Sequence, residues 1–144
     1  EAPLAPAVPL APLMARLRGM GLRLGVMTND AALSAEAHLL TAGIAEAFDF
    51  VAGADSGHGA KPDPAPLRAF ATATGLAARE VVMVGDSLHD LTAGRAAGMQ
   101  VVGVLTGPAE AADLAPHADA VLPDIGHLPD WLAGAAAEEA REGR

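Results

Sequence analysis

Residues 81–90 read VVMVGDSLHD, a short apolar run followed by a glycine and two aspartates. Apolar residues closed by Gly85 predict a buried strand that ends in a tight turn. In an open α/β sheet, ligands bind where strands end and helices begin. Asp86 and Asp90 are expected there, where their carboxylates could bind a hard cation such as Mg²⁺. The alternative is that Asp86 is a helix N-cap and Asp90 a solvated helix residue.

The composition indicates one globular domain and argues against a nucleic-acid partner. The 144 residues are 51% hydrophobic and 19% charged, which is typical of a folded chain with a single core. Aromatic residues make up only 3%, so we expect a core of small aliphatic side chains. The formal net charge of -9 disfavours nucleic acid, because a phosphate backbone requires a basic surface. An anionic small substrate stays possible, since a lysine and a metal can reverse the field inside a pocket.

Several kinds of site and location are also disfavoured. The sequence has no cysteine, which excludes disulfides and thiolate metal sites. No apolar run approaches the roughly 18 residues of a membrane span, and no targeting leader is recognisable. We therefore expect a cytoplasmic protein with no membrane partner. Residue 1 is Glu1 and not methionine, so we expect a processed chain or a fragment of a longer one.

Helices and strands are predicted to alternate along the chain. The predicted helices are 10–19, 31–42, 64–74, 87–97 and 128–137, and the predicted strands are 22–27, 48–52, 81–84, 101–105 and 120–122. This alternation indicates a doubly wound parallel sheet. The expected fold class is α/β, with a three-layer αβα Rossmann-like core over residues 10–137. Residues 1–9, rich in proline, are expected to be a linker or arm, and residues 138–144 a charged tail.

Besides the helix that follows Asp86, two predicted helices have candidate capping residues at their start. Asn29 or Asp30 is placed to cap helix 31–42. Asp63 is placed to cap the next helix, with Pro64 at its first position, where proline is favoured. His58 and His89 are interpreted as loop or surface histidines, with the alternative that His89, which lies between the two acids, reaches the site.

Polar residues follow three of the predicted strands. Thr28 and Asn29 follow the first strand, Lys61 lies in the loop after the second, and Asp86 and Asp90 follow the third. Because a doubly wound sheet brings strand ends together, these groups could form a phosphate and metal site. The hydroxyl can donate to phosphoryl oxygens, and the ammonium can stabilise developing negative charge. Each residue also has a simpler interpretation: Thr28 and Asn29 could begin a helix, and a lone lysine is ordinarily solvated.

The order of these motifs resembles the haloacid dehalogenase-like hydrolase superfamily. TND at 28–30 looks like its threonine motif, KPDP at 61–64 like its lysine motif, and VGDSLHD at 84–90 like its acidic motif. Residues 102–132 resemble the C-terminal part of the phosphoglycolate phosphatase-like branch. The resemblance implies a Mg²⁺-dependent phosphatase that acts on a small phosphorylated metabolite.

The resemblance also implies a role for each matching residue. Thr28 would bind the phosphoryl group through its hydroxyl, with Asn29 beside it. Lys61 would steady the phosphoryl oxygens and the nucleophile. Asp86 would coordinate Mg²⁺ directly, and Asp90 would support the metal site directly, through water, or through the lysine.

One motif of the family has no match in this sequence. The family's nucleophilic aspartate lies in a D-x-D-G-T/S pattern on its first strand, whereas the first aspartate here is Asp30. The family's mobile cap is absent too, so the expected core is incomplete and the aspartyl-phosphate would form on an Asp outside this sequence. Strands 22–27 and 81–84 would then lack their shared neighbour. Their open edges would need a missing N-terminal segment, another chain, or a homo-oligomer.

Two other functions fit parts of the same pattern. The first is a non-catalytic fragment or interaction module that retains the fold without the nucleophile. The second is a phosphate-receiver domain, which also places acids, threonine and lysine at strand ends. A receiver is disfavoured, because its phosphate-accepting acid precedes its threonine and its lysine comes last.

Overall fold

A computed structural model describes the backbone of residues 9–142 and the side chains of residues 9–135. Residues 1–8 of the expected linker and residues 143–144 of the expected tail lie outside this range. The helices are α1 (Leu10–Gly19), α2 (Ala32–Thr41), α3 (Ala65–Thr74), α4 (Leu88–Ala96), α5 (Ala111–Leu114) and α6 (Leu128–Glu142). The strands are β1 (Gly25–Met27), β2 (Phe50–Ala52), β3 (Val82–Gly85), β4 (Gln100–Val104) and β5 (Ala120–Leu122). Short 3₁₀ helices occupy Ala45–Ala47, Ala78–Glu80, Ala115–His117 and Ile125–His127.

The strands form two separate parallel sheets. β1 pairs with β2, and β4 pairs with β3 on one side and β5 on the other. Within residues 9–142, no ladder joins β1 to β3. The predicted α/β fold with parallel strands is confirmed. The sheet is divided where the sequence predicted that two strands would lack a shared neighbour.

Helices cover both faces of the two sheets. Met83 and Val84 are adjacent in β3, so their side chains point to opposite faces. Met83 belongs to a buried cluster with Leu67 and Phe70 of α3, which also contacts Met27 of β1. Val84 packs against a second cluster, which joins α1 to α6. Its members and neighbours include Leu13, Met14, Leu17, Leu24, Leu122, Leu128 and Trp131. Each helical layer therefore spans both sheets, which gives the expected three-layer arrangement.

Several element boundaries differ from the predictions. β1 begins at Gly25 and not at residue 22, and the N–H of Leu24 donates to the Asp49 carboxylate at 2.9 Å. The Asp49 carboxylate thus accepts from a backbone N–H that would otherwise pair with a neighbouring strand. α6 continues to Glu142, beyond the predicted end at residue 137, because the sequence EEARE at 138–142 consists of good helix formers. Most of the expected tail is therefore helical. Among the described helices, none has the length and apolar character needed to span a membrane.

The cap predicted for α2 is wrong. The N-cap position is Ala31, and the N–H of Ala32 donates to the carboxylate of Asp55 at 2.8 Å. The loop after β2 therefore caps this helix, and neither Asn29 nor Asp30 does so. At α3 the predicted capping residue is confirmed, since Asp63 accepts from the N–H of Ala65 at 2.8 Å. The N-cap position of α3 is Pro64, one residue from the prediction.

Candidate active site

A cleft of about 1150 Å³ runs between β1 and β3. Its lining includes Met27 at the end of β1 and Gly85 at the end of β3. Lys61, Asp86 and Asp90 line the same cleft. Thr28 and Asn29 follow Met27 directly but do not themselves line the cleft. The structure therefore brings three of the five predicted site residues together and places the other two beside them.

The ammonium of Lys61 forms an ion pair with the carboxylate of Asp90. The two side chains are only 13% and 12% exposed. The other oxygen of the Asp90 carboxylate accepts from the N–H of Asp86 at 3.3 Å and from the Ser87 hydroxyl at 3.1 Å. Three donors thus satisfy a carboxylate that is largely removed from water. These contacts exclude a solvated Lys61 and a solvated Asp90.

The glycine of the VGD sequence is required by the packing of α4 against β3. A β-carbon at Gly85 would lie 2.1 Å from the β-carbon of Asp90, which is far inside contact distance. The N-cap of α4 is Ser87, whose hydroxyl accepts from the N–H of Asp90 at 3.4 Å. The alternative in which Asp86 caps the helix is therefore wrong. Ser87 does the capping, so the Asp86 carboxylate is not used to begin the helix.

Asp86 is half-buried and lies against the loop after β4. A β-carbon at Gly107 would lie 2.8 Å from its carboxylate carbon. In the part of the chain that the structure describes, no hydrogen-bond donor reaches this carboxylate, in contrast to that of Asp90. Mg²⁺ is usually held by one or two carboxylates together with water and substrate phosphate. Asp86 fits such a ligand, with Asp90 behind it as the partner of the lysine.

A denser cation cage is not present among the described residues. No group of three or more acidic, histidine or cysteine side chains converges there. His89 is exposed on α4, and the His58 ring packs against Phe50 with 5.8 Å between centroids. Both histidines therefore lie where the sequence interpretation placed them, in a loop and on the surface.

Thr28 forms a tight turn at the end of β1. Its N–H donates to the carbonyl of Ala52 at 2.9 Å, and its hydroxyl oxygen accepts from the N–H of Asp30 at 3.1 Å. A hydroxyl that accepts in this way can still donate its own proton. Thr28 is thus held in place with a donor available.

Asn29 makes two hydrogen bonds with the backbone of Lys61. Its side-chain oxygen accepts from the Lys61 N–H at 2.9 Å, and its side-chain nitrogen donates to the Lys61 carbonyl at 3.0 Å. The residues are 32 positions apart, so no local pattern could have indicated this contact. Lys61 is also the only lysine in the sequence. A single ammonium is thus fixed at its backbone by Asn29 and at its tip by Asp90.

Comparisons with known proteins identify the family to which this sequence is similar. The sequence model of a family described as haloacid dehalogenase-like hydrolase matches residues 5–104. A phosphoglycolate phosphatase of Rhodospirillum rubrum is 40% identical over 120 residues, which are 83% of this chain and 50% of that protein. One of Neisseria meningitidis is 40% identical over 119 residues, 81% of this chain and 50% of that protein. The chain therefore spans about half the length of these relatives.

Solved structures show the same fold. A haloacid dehalogenase family hydrolase of Deinococcus radiodurans, determined with bound phosphate and sodium, has a TM-score of 0.82 and 28% identity. The match covers 90% of this chain and 60% of that one. A predicted phosphoglycolate phosphatase of Haemophilus somnus has a TM-score of 0.79 and 26% identity, over 85% of this chain and 55% of that one. With the motif order and the cleft described above, these matches show that the chain belongs to the haloacid dehalogenase-like hydrolase family, in its phosphoglycolate phosphatase-like branch.

Proposed function

We propose that this chain forms the phosphate-binding and Mg²⁺-binding part of a phosphatase that acts on a small phosphorylated metabolite resembling phosphoglycolate. The observation that carries the proposal is the meeting of the Lys61 ammonium with the carboxylates of Asp86 and Asp90 at one end of one cleft. The relatives named as phosphoglycolate phosphatases support the substrate class. The phosphate bound in the Deinococcus radiodurans structure supports a phosphoryl ligand.

Each side chain has a role that follows from its chemistry. Lys61 places a positive charge where the transferring phosphoryl group gains negative charge. The Thr28 hydroxyl donates to a phosphoryl oxygen, and a contact of Asn29 with the phosphoryl group stays a prediction. Asp86 would hold Mg²⁺, and the bound cation would screen the phosphate from an anionic nucleophile. Asp90 pairs with the Lys61 ammonium and so holds it in place within the site.

The nucleophile is proposed to come from outside these 144 residues. No D-x-D-G-T/S pattern occurs in the sequence, and β1 and β3 present backbone edges to a shared cleft. A parallel strand in that cleft would satisfy both edges and would end beside Lys61 and Asp86. A segment that precedes this sequence is the proposed source, and a different chain is the alternative. A cytoplasmic location likewise stays a prediction.

The test is phosphatase activity on an aryl phosphate with Mg²⁺, measured on the complete natural polypeptide that contains this sequence. We expect Lys61→Ala to lower kcat at least about 100-fold, since it removes a preorganised charge from the transition state. Arg16→Ala is the matched control, because it also removes a cation from an ion pair. The pair of Arg16 with Asp130 is exposed, and neither residue belongs to the three motifs. Turnover that is unchanged in Lys61→Ala would refute the assignment of the lysine.

A non-catalytic module is the competing function, and the same assay distinguishes it. We expect the 144 residues alone to be inactive under either hypothesis, because they contain no D-x-D-G-T/S motif and so lack the nucleophile. Activity of the complete wild-type polypeptide supports the phosphatase. A complete polypeptide without a D-x-D-G segment and without activity supports the module.

A further inference from the structure

We infer that Asn29 is a positioning residue for Lys61 and acts through the lysine. Its side-chain amide uses both of its functional groups on one residue, at 2.9 Å and 3.0 Å. A primary amide that pairs with both the N–H and the C=O of one residue fixes the position of that residue's peptide groups and their orientation together. The catalytic consequence of this arrangement rests on the proposed function, whereas the arrangement itself does not.

The contact joins two parts of the molecule that share no strand pairing. Asn29 follows β1, in the smaller sheet, and Asp90 lies in α4, directly after β3 in the larger sheet. Lys61 connects them, because its backbone bonds to Asn29 and its ammonium bonds to Asp90. Asn29, Lys61 and Asp90 therefore form a continuous polar connection across one end of the cleft.

The loop that carries Lys61 is attached at both ends to the turn after β1. At its start, the N–H of Ala54 donates to the carbonyl of Asp30 at 2.9 Å, and Asp55 accepts from the N–H of Ala32. At its end, the amide of Asn29 holds Lys61. Removal of the Asn29 side chain would release the lysine end and leave the other end attached. The position of the ammonium would then depend on the flexible Lys61 side chain and on a backbone that is less restrained.

This arrangement distinguishes a positioning role from direct binding of substrate. A residue that binds the phosphate equally in substrate and transition state changes KM, whereas one that aims a transition-state charge changes kcat. We expect Asn29→Ala to lower kcat by about 10-fold to 100-fold, with KM changed less than about threefold, since small misplacements of a catalytic group are costly. Asn29→Asp keeps the acceptor for the Lys61 N–H and loses the donor to its carbonyl, so its kcat should be intermediate.

The experiment has a second readout that does not depend on activity. The complete polypeptide is labelled with ¹⁵N-lysine, and the Lys61 backbone amide is identified as the peak that disappears in Lys61→Arg. Hydrogen exchange of this amide should accelerate at least about 10-fold in Asn29→Ala, because the amide loses its acceptor. Asp49→Ala is the matched control, since it removes another side-chain acceptor from a backbone N–H beside the same sheet. It should leave the exchange of Lys61 and kcat unchanged.

Each outcome decides the inference. Faster exchange with a lower kcat in Asn29→Ala alone supports it. Unchanged exchange overturns it, as does faster exchange with an unchanged kcat, or a raised KM at constant kcat, which would make Asn29 a substrate ligand. If the wild-type polypeptide proves inactive, the proposed function fails. The positional claim is then decided by the exchange of the Lys61 amide alone.

Discussion

Replacement of Asp90 by alanine should destabilise the fold by about 3 kcal/mol, because it leaves the Lys61 ammonium without its counter-ion. Water cannot easily replace the lost contact, since the Lys61 side chain is only 13% exposed. The N–H of Asp86 and the hydroxyl of Ser87 lose their acceptor in the same substitution. The expected cost is at the lower end for a broken buried pair, because neither side chain of the pair is completely buried.

Three further variants separate the ion pair from the other contacts of Asp90. Asp90→Asn keeps an oxygen acceptor and removes the charge, so we expect about half the cost of Asp90→Ala. Lys61→Ala leaves the Asp90 carboxylate with two of its three donors. In the double variant Lys61→Ala/Asp90→Ala neither charge is left unpaired. The double-mutant cycle formed by the wild type, the two single alanine variants and the double variant should therefore show a coupling free energy of about 2 kcal/mol between Lys61 and Asp90.

The assay is urea unfolding at neutral pH, followed by circular dichroism, for the wild type, the three single variants and the double variant. The urea dependence of the free energy of unfolding should stay constant across the five proteins, so that differences in midpoint report stability. A cost below about 1 kcal/mol for Asp90→Ala would refute the buried pair, because that value is typical of an exposed one. A coupling free energy of zero would refute it independently.

Two other predictions follow from contacts described above. Gly107→Ala would press on the Asp86 carboxylate, so the Mg²⁺ concentration for half-maximal phosphatase activity should rise about 10-fold. Gly134→Ala is the control, since an added β-carbon there meets nothing within 4 Å, and an equal rise in both variants would contradict the contact. The N–H of Leu24, and then Arg18, lower the pKa of Asp49 below its usual 3.8. The stabilisation by Asp49 should thus be complete at neutral pH and lost as the pH falls through the lowered pKa. As the pH is lowered, the urea midpoint should fall less in Asp49→Asn than in the wild type. Equal falls in the two proteins would refute this prediction.

The parts of the fold that depend on local sequence were predictable. α1 occupies the predicted residues 10–19, because the apolar spacing that predicts it is contained in one short stretch. The motifs at 28–30 and 84–90 lie at strand ends as predicted, since each follows an apolar run, and the motif at 61–64 lies in the predicted loop after β2. The division of the sheet was also predictable, because the resemblance indicated which strand has no match. The convergence of Lys61 with Asp86 and Asp90 then followed from the way parallel strands end at one edge.

The parts that depend on contacts between distant residues were not predictable. The cap of α2 comes from Asp55, 23 positions from the N–H that it accepts. The pairing of Asn29 with Lys61 and the approach of Gly107 to Asp86 likewise leave no periodic or compositional signal. The sequence interpretation gave Asn29 a place beside the phosphate because the motif contained it. Only the structure shows that its amide is bonded to the lysine backbone.

The single lysine of this sequence makes the site open to chemical footprinting. Apart from the amino terminus, an amine-acylating reagent has one target among these 144 residues, and that target is the ammonium paired with Asp90. The mass of the peptide that contains Lys61 would therefore report occupancy of the cleft without a substrate or a coupled assay. Protection of that peptide by added inorganic phosphate would measure affinity directly, from the fraction of molecules left unmodified.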